Sequence, residues 1–159
     1  MNIIEGNLIE MADSGEFDAI MHGCNCFCTM GAGIAKNIRD RWPEVYDIDR
    51  QTPRGATDKL GKFTFAVVKT RANTILTVFN LYTQYRYGMK YGPPFDYDAF
   101  TNALRGLKPL FVGENYTVGM PMIGAGLAGG DWRIISEIIE EEFQNVNYNI
   151  VRYHGKGKW

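Results

Sequence analysis

The sequence carries no excess of either charge. Seventeen Lys and Arg stand against eighteen Asp and Glu, for a formal net charge of −1. General nucleic-acid binding is not expected from that balance, because it needs a basic surplus that releases counterions along the phosphate backbone. Long apolar runs are lacking too: none reaches the roughly 18 residues of a membrane-spanning helix. Met1 leads straight into the polar segment Asn2-Ile3-Ile4-Glu5, so no signal peptide is expected. Cysteine is scarce. The three present, Cys24, Cys26 and Cys28, lie in one stretch and cannot build a disulfide framework, which points to a reducing, cytoplasmic setting.

Several nucleotide and phosphate signatures are missing as well. No Gly-x-x-x-x-Gly-Lys-Ser/Thr loop occurs, and counting on from Cys24, Cys26 or Cys28 reaches no Arg at cysteine-phosphatase spacing. Gly124, Gly126 and Gly129 fit Gly-x-Gly-x-x-Gly, but no later strand ends in the acidic residue a dinucleotide fold requires; the next strand runs Asn149 to His154. Asp47-Ile48-Asp49 has the look of an aspartyl-phosphate motif, yet it follows a helix rather than a core strand and reads as a solvated loop.

What the chain does contain is enough apolar material for one core. It is 45% hydrophobic and 13% aromatic over 159 residues, which suits a single domain without repeats or linkers. Short strands are expected at Ile3-Ile4 and Phe17–Met21, an alternating strand at Phe63, Phe65 and Val67, and further strands at Ile75–Leu81, Tyr116–Ile123 and Tyr148–Tyr153. Helical spacing appears from Gly33 to Trp42, where Pro43 stops it, again at Phe100, Leu104, Leu107 and Phe111, and again from Ile134 to Phe143. Asp96 or Asp98 would cap the second of these helices, with Pro109 distorting its last turn. Residues 44–61 and 84–95 read as loops, and 154–159 as a flexible tail. Strands alternating with helices imply an α/β fold with helices on both faces of a mixed, mostly parallel sheet.

Two strand-to-helix connections are rich in glycine: His22-Gly23-Cys24-Asn25-Cys26-Phe27-Cys28-Thr29-Met30-Gly31-Ala32-Gly33-Ile34-Ala35 and Pro121-Met122-Ile123-Gly124-Ala125-Gly126-Leu127-Ala128-Gly129-Gly130-Asp131. Glycine lets backbone N–H groups approach an anion, and a helix start adds a favourable field. Two such turns at the carboxyl ends of strands suggest paired cradles around one phosphate-bearing molecule.

In order and spacing these segments resemble the macro domain, the ADP-ribose-binding family, over nearly the whole chain. Glu5-Gly6-Asn7-Leu8-Ile9 is similar to the family's Gly-Asp-Ile/Leu segment. The first glycine turn resembles the branch holding ADP-ribose 1″-phosphate phosphatases and terminal ADP-ribose glycohydrolases, and Ile123-Gly124-Ala125-Gly126-Leu127 resembles its second phosphate loop. The resemblance implies a single three-layer α/β/α macro domain spanning residues 1–159. Its pyrophosphate would be held by Gly31, Ala32, Gly33, Ile34 and Ala35 and by Gly124, Ala125, Gly126 and Leu127. Asn7 and Leu8 would meet adenine, with Asn7 where the family has Asp; an amide oxygen still accepts a hydrogen bond but without charge. Asn25 would reach the distal ribose, and Tyr82, Tyr85, Tyr87 or Tyr91 could stack on a base.

The glycohydrolase branch carries a lysine where this chain has Gln84, and an amide cannot form the sugar adduct that an amine can. The resemblance therefore implies hydrolysis of ADP-ribose 1″-phosphate, with no cofactor or metal. Removal of ADP-ribose from a protein or nucleic acid, or binding without turnover, are the alternatives. The catalytic candidates are His22, Asn25 and Asp131. Each has a structural alternative: a strand-end histidine bonding its neighbours, a turn amide, and a helix N-cap. The cysteine triplet reads as small buried hydrophobes.

Overall fold

In the computed structural model, which describes residues 1–155, six strands form one mixed sheet. In chain order the elements are β1 (Asn2–Glu5), α1 (Leu8–Asp13), β2 (Ala19–Asn25), α2 (Gly33–Arg41), α3 (Pro43–Arg50), β3 (Phe63–Lys69), β4 (Ile75–Gln84), α4 (Tyr97–Phe111), β5 (Val118–Pro121), α5 (Trp132–Glu142) and β6 (Tyr148–Arg152). Across the sheet the order is β1-β6-β5-β2-β4-β3. Neighbours are parallel except β3, which runs antiparallel to β4. The last strand thus inserts between the first strand and β5. This is the expected three-layer α/β/α arrangement.

Alternation along the strands divides the core in two. Ala19 and Met21 of β2 point to the layer of α4 and α5 and pack with Phe100, Leu104, Ile135 and Ile139. Ile20 and Cys24 point the other way, to Leu8 of α1, Ile38 of α2 and Val45 of α3. Phe100, Leu104 and Leu107 are wholly buried, each contributing about 1.5–3 kcal/mol of transfer free energy.

The helices start where their capping chemistry allows. Asp96 caps α4 by accepting from Ala99 N at 2.9 Å, and α4 carries Pro109 inside its last turn before ending at Phe111. β5 stops at Pro121, where the chain can no longer donate to a neighbour. Two elements depart from the expectation. Pro43 does end α2, but it is also the first residue of α3, a position where its missing N–H costs nothing; residues 43–50 are helix rather than loop. The short α1 has no long apolar period to reveal it and is set by the Asn7 cap.

A charged node ties this layer together. Asp13, at the end of α1, takes two hydrogen bonds from Arg41 at 2.7 Å each and one from Arg71 N at 2.8 Å. His154 pairs with Glu5, so it is engaged rather than trailing, and the last four residues of the expected tail, 156–159, lie outside the described residues. No helix among the described residues is long and apolar enough to cross a membrane.

Candidate functional site

The carboxyl ends of β2, β4, β5 and β6 open into a cleft of about 1050 Å³. Its two long lips are the loop from Thr29 into α2 and the loop from Met122 to Ala128. Val151, Arg152 and Tyr153 close one end; Asp49, Thr83, Gln84 and Tyr87 line the other. Open α/β sheets bind their ligands at this edge because the loops there are free of the ladder.

The lips are built from unspent backbone donors. α2 has Ala32 as its N-cap, with no side-chain hydrogen bond to the first turn, and the N–H groups of Gly31 through Ala35 have no acceptor among the described residues. On the opposite lip Gly130 N donates to Gly124 O at 2.7 Å and Gly129 N to Gly126 O at 3.1 Å, which folds the loop back and leaves the N–H groups of Gly126, Leu127 and Ala128 without a partner among the described residues. Two glycines serve opposite purposes. Gly124 has φ of +79°, and a Cβ there would lie 2.4 Å from Phe95, so packing demands it. A Cβ on Gly31 would meet only Thr29 O, at 3.9 Å, so its bareness serves the cleft. The first lip is also strained: Cys28 and Met30 hold φ of 54° and 39°, in the left-handed region that non-glycine residues avoid. Among the described lining residues only Asp49 and Arg152 carry formal charge. Arg152 is paired with Glu5 at 3.2 Å, so attraction for an anion comes chiefly from aligned N–H groups and the start of α2.

No protein-family model matches the sequence. An uncharacterized 17.5 kDa protein in the tk-vs intergenic region of Enterobacteria phage T4 is 37% identical over 142 residues, 86% of each chain. A shorter stretch of 45 residues, 28% of this chain and 21% of the other, is 38% identical to an ADP-ribose 1″-phosphate phosphatase of Aspergillus oryzae. Among solved structures, a protein of unknown function from Bacteroides thetaiotaomicron superposes with a TM-score of 0.75 at 27% identity, covering 96% of this chain and 98% of that one. A macrodomain protein from Streptomyces coelicolor superposes with a TM-score of 0.66 at 25% identity over 97% and 99% of the two chains. This chain is a macro domain. Thermosipho africanus DarTG, solved in complex with ADP-ribose, shares the fold at a TM-score of 0.72 and 16% identity, over all of this chain and 43% of that one.

Within this macro domain the two phosphate-loop expectations meet at one place: Gly31 to Ala35 and Gly124 to Leu127 face each other across the cleft. Asn25 lines it as well. Its Oδ1 accepts from Phe27 N and its Nδ2 donates to Thr29 Oγ1, both at 2.8 Å, so the amide shapes the first lip and keeps one N–H and one lone pair for a ligand.

The other expected site residues lie elsewhere. His22 is wholly buried on the α1–α3 face and does not line the cleft. Its Nε2 meets Asn80 Oδ1 at 2.7 Å, while Asn80 Nδ2 donates to Val45 O at 3.1 Å; the amide orientation makes Nε2 the protonated nitrogen. Burial holds its pKa down to about 4, so it stays neutral at physiological pH. Asp131 caps α5 through Arg133 N at 2.9 Å and pairs with the Arg133 guanidinium at 2.8 Å, which lowers its pKa; it too stands outside the cleft lining. Asn7 spends its Oδ1 on Ile9 N and Glu10 N, and Leu8 is core, so neither forms the cleft wall.

The tyrosines divide similarly. Only Tyr87 of the four candidates lines the cleft, joined by Tyr153. Tyr85 bonds Gly55 O at 2.9 Å, Tyr91 lies under Arg86, and Tyr82 is buried. Gln84 lines the cleft, with its Nε2 on Arg86 O at 2.8 Å.

Two residues reach the site without having been expected there. Asp49 is not solvated: it is 1% exposed and lines the cleft. Its Oδ1 accepts from the Tyr82 hydroxyl at 2.8 Å and its Oδ2 has no partner among the described residues. Burial raises its pKa, opposed by the Tyr82 hydrogen bond and by the Lys59 ammonium. Thr83 Oγ1, likewise buried and unpartnered, sits at a register shift between β2 and β4, where Cys24 pairs with Tyr82 and Asn25 with Gln84. The signal for Asp49 was the four-residue spacing from Val45, which puts both on the inner face of α3. Cys24 and Cys26 are core residues, and no group of three metal-ligating side chains is assembled among the described residues.

Proposed function

We propose that this macro domain binds ADP-ribose and hydrolyses ADP-ribose 1″-phosphate to ADP-ribose and phosphate. The observation that carries the binding half is the pair of unpartnered N–H runs, Gly31 to Ala35 and Gly126 to Ala128, on opposite lips of one cleft. A pyrophosphate between them receives donors from both sides without a lysine or arginine, and preorganised dipoles cost no reorganisation when charge arrives. The ADP-ribose seen in the Thermosipho africanus relative of the same fold supports this choice of ligand, and the partial likeness to the Aspergillus oryzae enzyme supports the phosphatase half.

With His22 and Asp131 outside the cleft, the polar side chains that line the end assigned to the distal ribose are Asn25, Thr29, Asp49, Thr83 and Gln84. The free thiols of Cys24, Cys26 and Cys28 suit a reducing cytoplasmic setting. The test incubates pure protein with ADP-ribose 1″-phosphate and follows phosphate and ADP-ribose together, alongside calorimetric titration with ADP-ribose and with AMP. Equal release of both products, with ADP-ribose bound more tightly than AMP, is expected. Tight ADP-ribose binding without phosphate release would move the assignment to a reader or to a hydrolase of ADP-ribosylated macromolecules. No preference over AMP would refute it altogether.

A further inference from the structure

A buried chain of hydrogen bonds begins at His22 and ends at the cleft. Asn80, held by His22, donates to Thr64 Oγ1 at 3.2 Å; Thr64 meets the Tyr82 hydroxyl at 3.2 Å; Tyr82 donates to Asp49 Oδ1 at 2.8 Å. Tyr82 and Asp49 are each 1% exposed. Burial raises the Tyr82 phenol, which stays protonated and keeps donating. The carboxylate is thereby fixed through one oxygen while the other, Oδ2, faces no donor. Leaving a buried carboxylate oxygen unpaired is costly, so Oδ2 calls for a hydrogen from outside the described residues.

The surroundings say which ligand atom that is. Asp49 belongs to the end of the cleft lined by the polar side chains of Asn25, Thr29, Thr83 and Gln84, across the sheet from Val151 and Tyr153. A carboxylate repels a second anion, so the phosphates belong between the glycine lips and a hydroxyl-bearing group belongs beside Asp49. The β6 end, where Val151 and Tyr153 flank an Arg152 already paired with Glu5, suits a flat base instead. We propose that Asp49 Oδ2 accepts a hydrogen bond from a hydroxyl of the terminal ribose, making Asp49 the residue by which the cleft distinguishes ADP-ribose from ADP. Tyr82 is the positioning residue that holds it. This inference rests on the ADP-ribose reading above.

The test compares calorimetric affinities of the full chain for ADP-ribose and ADP, in wild type, Asp49→Asn and Tyr82→Phe. ADP lacks the terminal ribose, so its binding reports the glycine lips and an intact fold. Asp49→Asn should weaken ADP-ribose roughly tenfold, as expected for exchanging a charge-assisted hydrogen bond for a neutral one, and leave ADP unchanged. Tyr82→Phe, which frees the carboxylate to turn away, should weaken ADP-ribose selectively and by less. Should Asp49→Asn fail to fold, the selectivity of Tyr82→Phe decides. Unchanged ADP-ribose binding, or an equal loss for ADP in the folded variants, would overturn the role of Asp49 alone. A wild type that binds neither ligand would overturn it together with the ADP-ribose reading.

Discussion

Acid should destabilise this protein through His22, well above the pH at which carboxylates titrate. In the unfolded chain a histidine takes up a proton near pH 6.5; in the fold burial holds that event down to about 4. Between these values the unfolded state binds a proton that the native state refuses, so stability falls as the pH falls. Each pH unit fully inside the interval costs about 1.4 kcal/mol, and integrating from about pH 7 to about pH 4.5 gives roughly 2.5 kcal/mol. The loss is complete once the pH passes below the folded value.

The measurement is urea unfolding of wild type and of His22→Gln at both pH values. The substitution removes the titrating ring but keeps an amide donor near Asn80. Groups with no link to the ring contribute equally in both proteins and cancel. The stability difference between the two should narrow by about 2.5 kcal/mol from the higher to the lower pH. A difference that does not change with pH would refute the reasoning: it would mean that His22 protonates in the folded protein as freely as in water, and the ring would return as a candidate proton carrier.

Two further expectations concern packing. Gly124→Ala forces a Cβ to within 2.4 Å of Phe95 at a left-handed φ and should cost about 2 kcal/mol or more in thermal unfolding, whereas Gly31→Leu, placed in open space, should leave the melting temperature nearly unchanged while abolishing ADP-ribose binding in calorimetry. Asp13→Ala leaves Arg41 and Arg71 N without their acceptor and should cost about 3 kcal/mol in denaturant unfolding. Because the Arg41 hydrogen bond holds the Asp13 carboxyl below its ordinary range, that contribution should persist at mildly acidic pH and vanish only as the pH falls below that range.

Periodicity and glycine spacing revealed the sheet, the three longer helices and both lips of the cleft, since these follow from local rules: alternation, helical faces and turns that only glycine tolerates. The side chains around the lips were harder to place. Strand-end position suggested a functional His22, but parity along β2 sends that ring to the α3 side, where Asn80 receives it. Asp131 and Asn7 precede helices, and in each case the cap claims the oxygen that a ligand would have used. Asp49 was missed for the opposite reason. An acidic residue between Ile48 and Arg50 looks solvated until the Pro43 start of α3 fixes its phase, and its partner Tyr82 lies far along the chain on β4. Helix phase is local information; which buried hydroxyl waits on the other side is not.

The place of β6 in the sheet has a consequence for the order in which the molecule comes into being. Among the described residues β1 has no neighbour other than β6. On a ribosome β1 must therefore wait, unpaired, for a partner that lies far along the chain: Asn2 finally registers against Asn149. Contacts closing so large a loop form late and slow the folding reaction. One wall of the cleft, Val151 to Tyr153, arrives with that same strand. The nascent domain accordingly has no complete cleft until β6 has been made, so a ligand cannot template the early steps and acts only as a latch on the finished sheet.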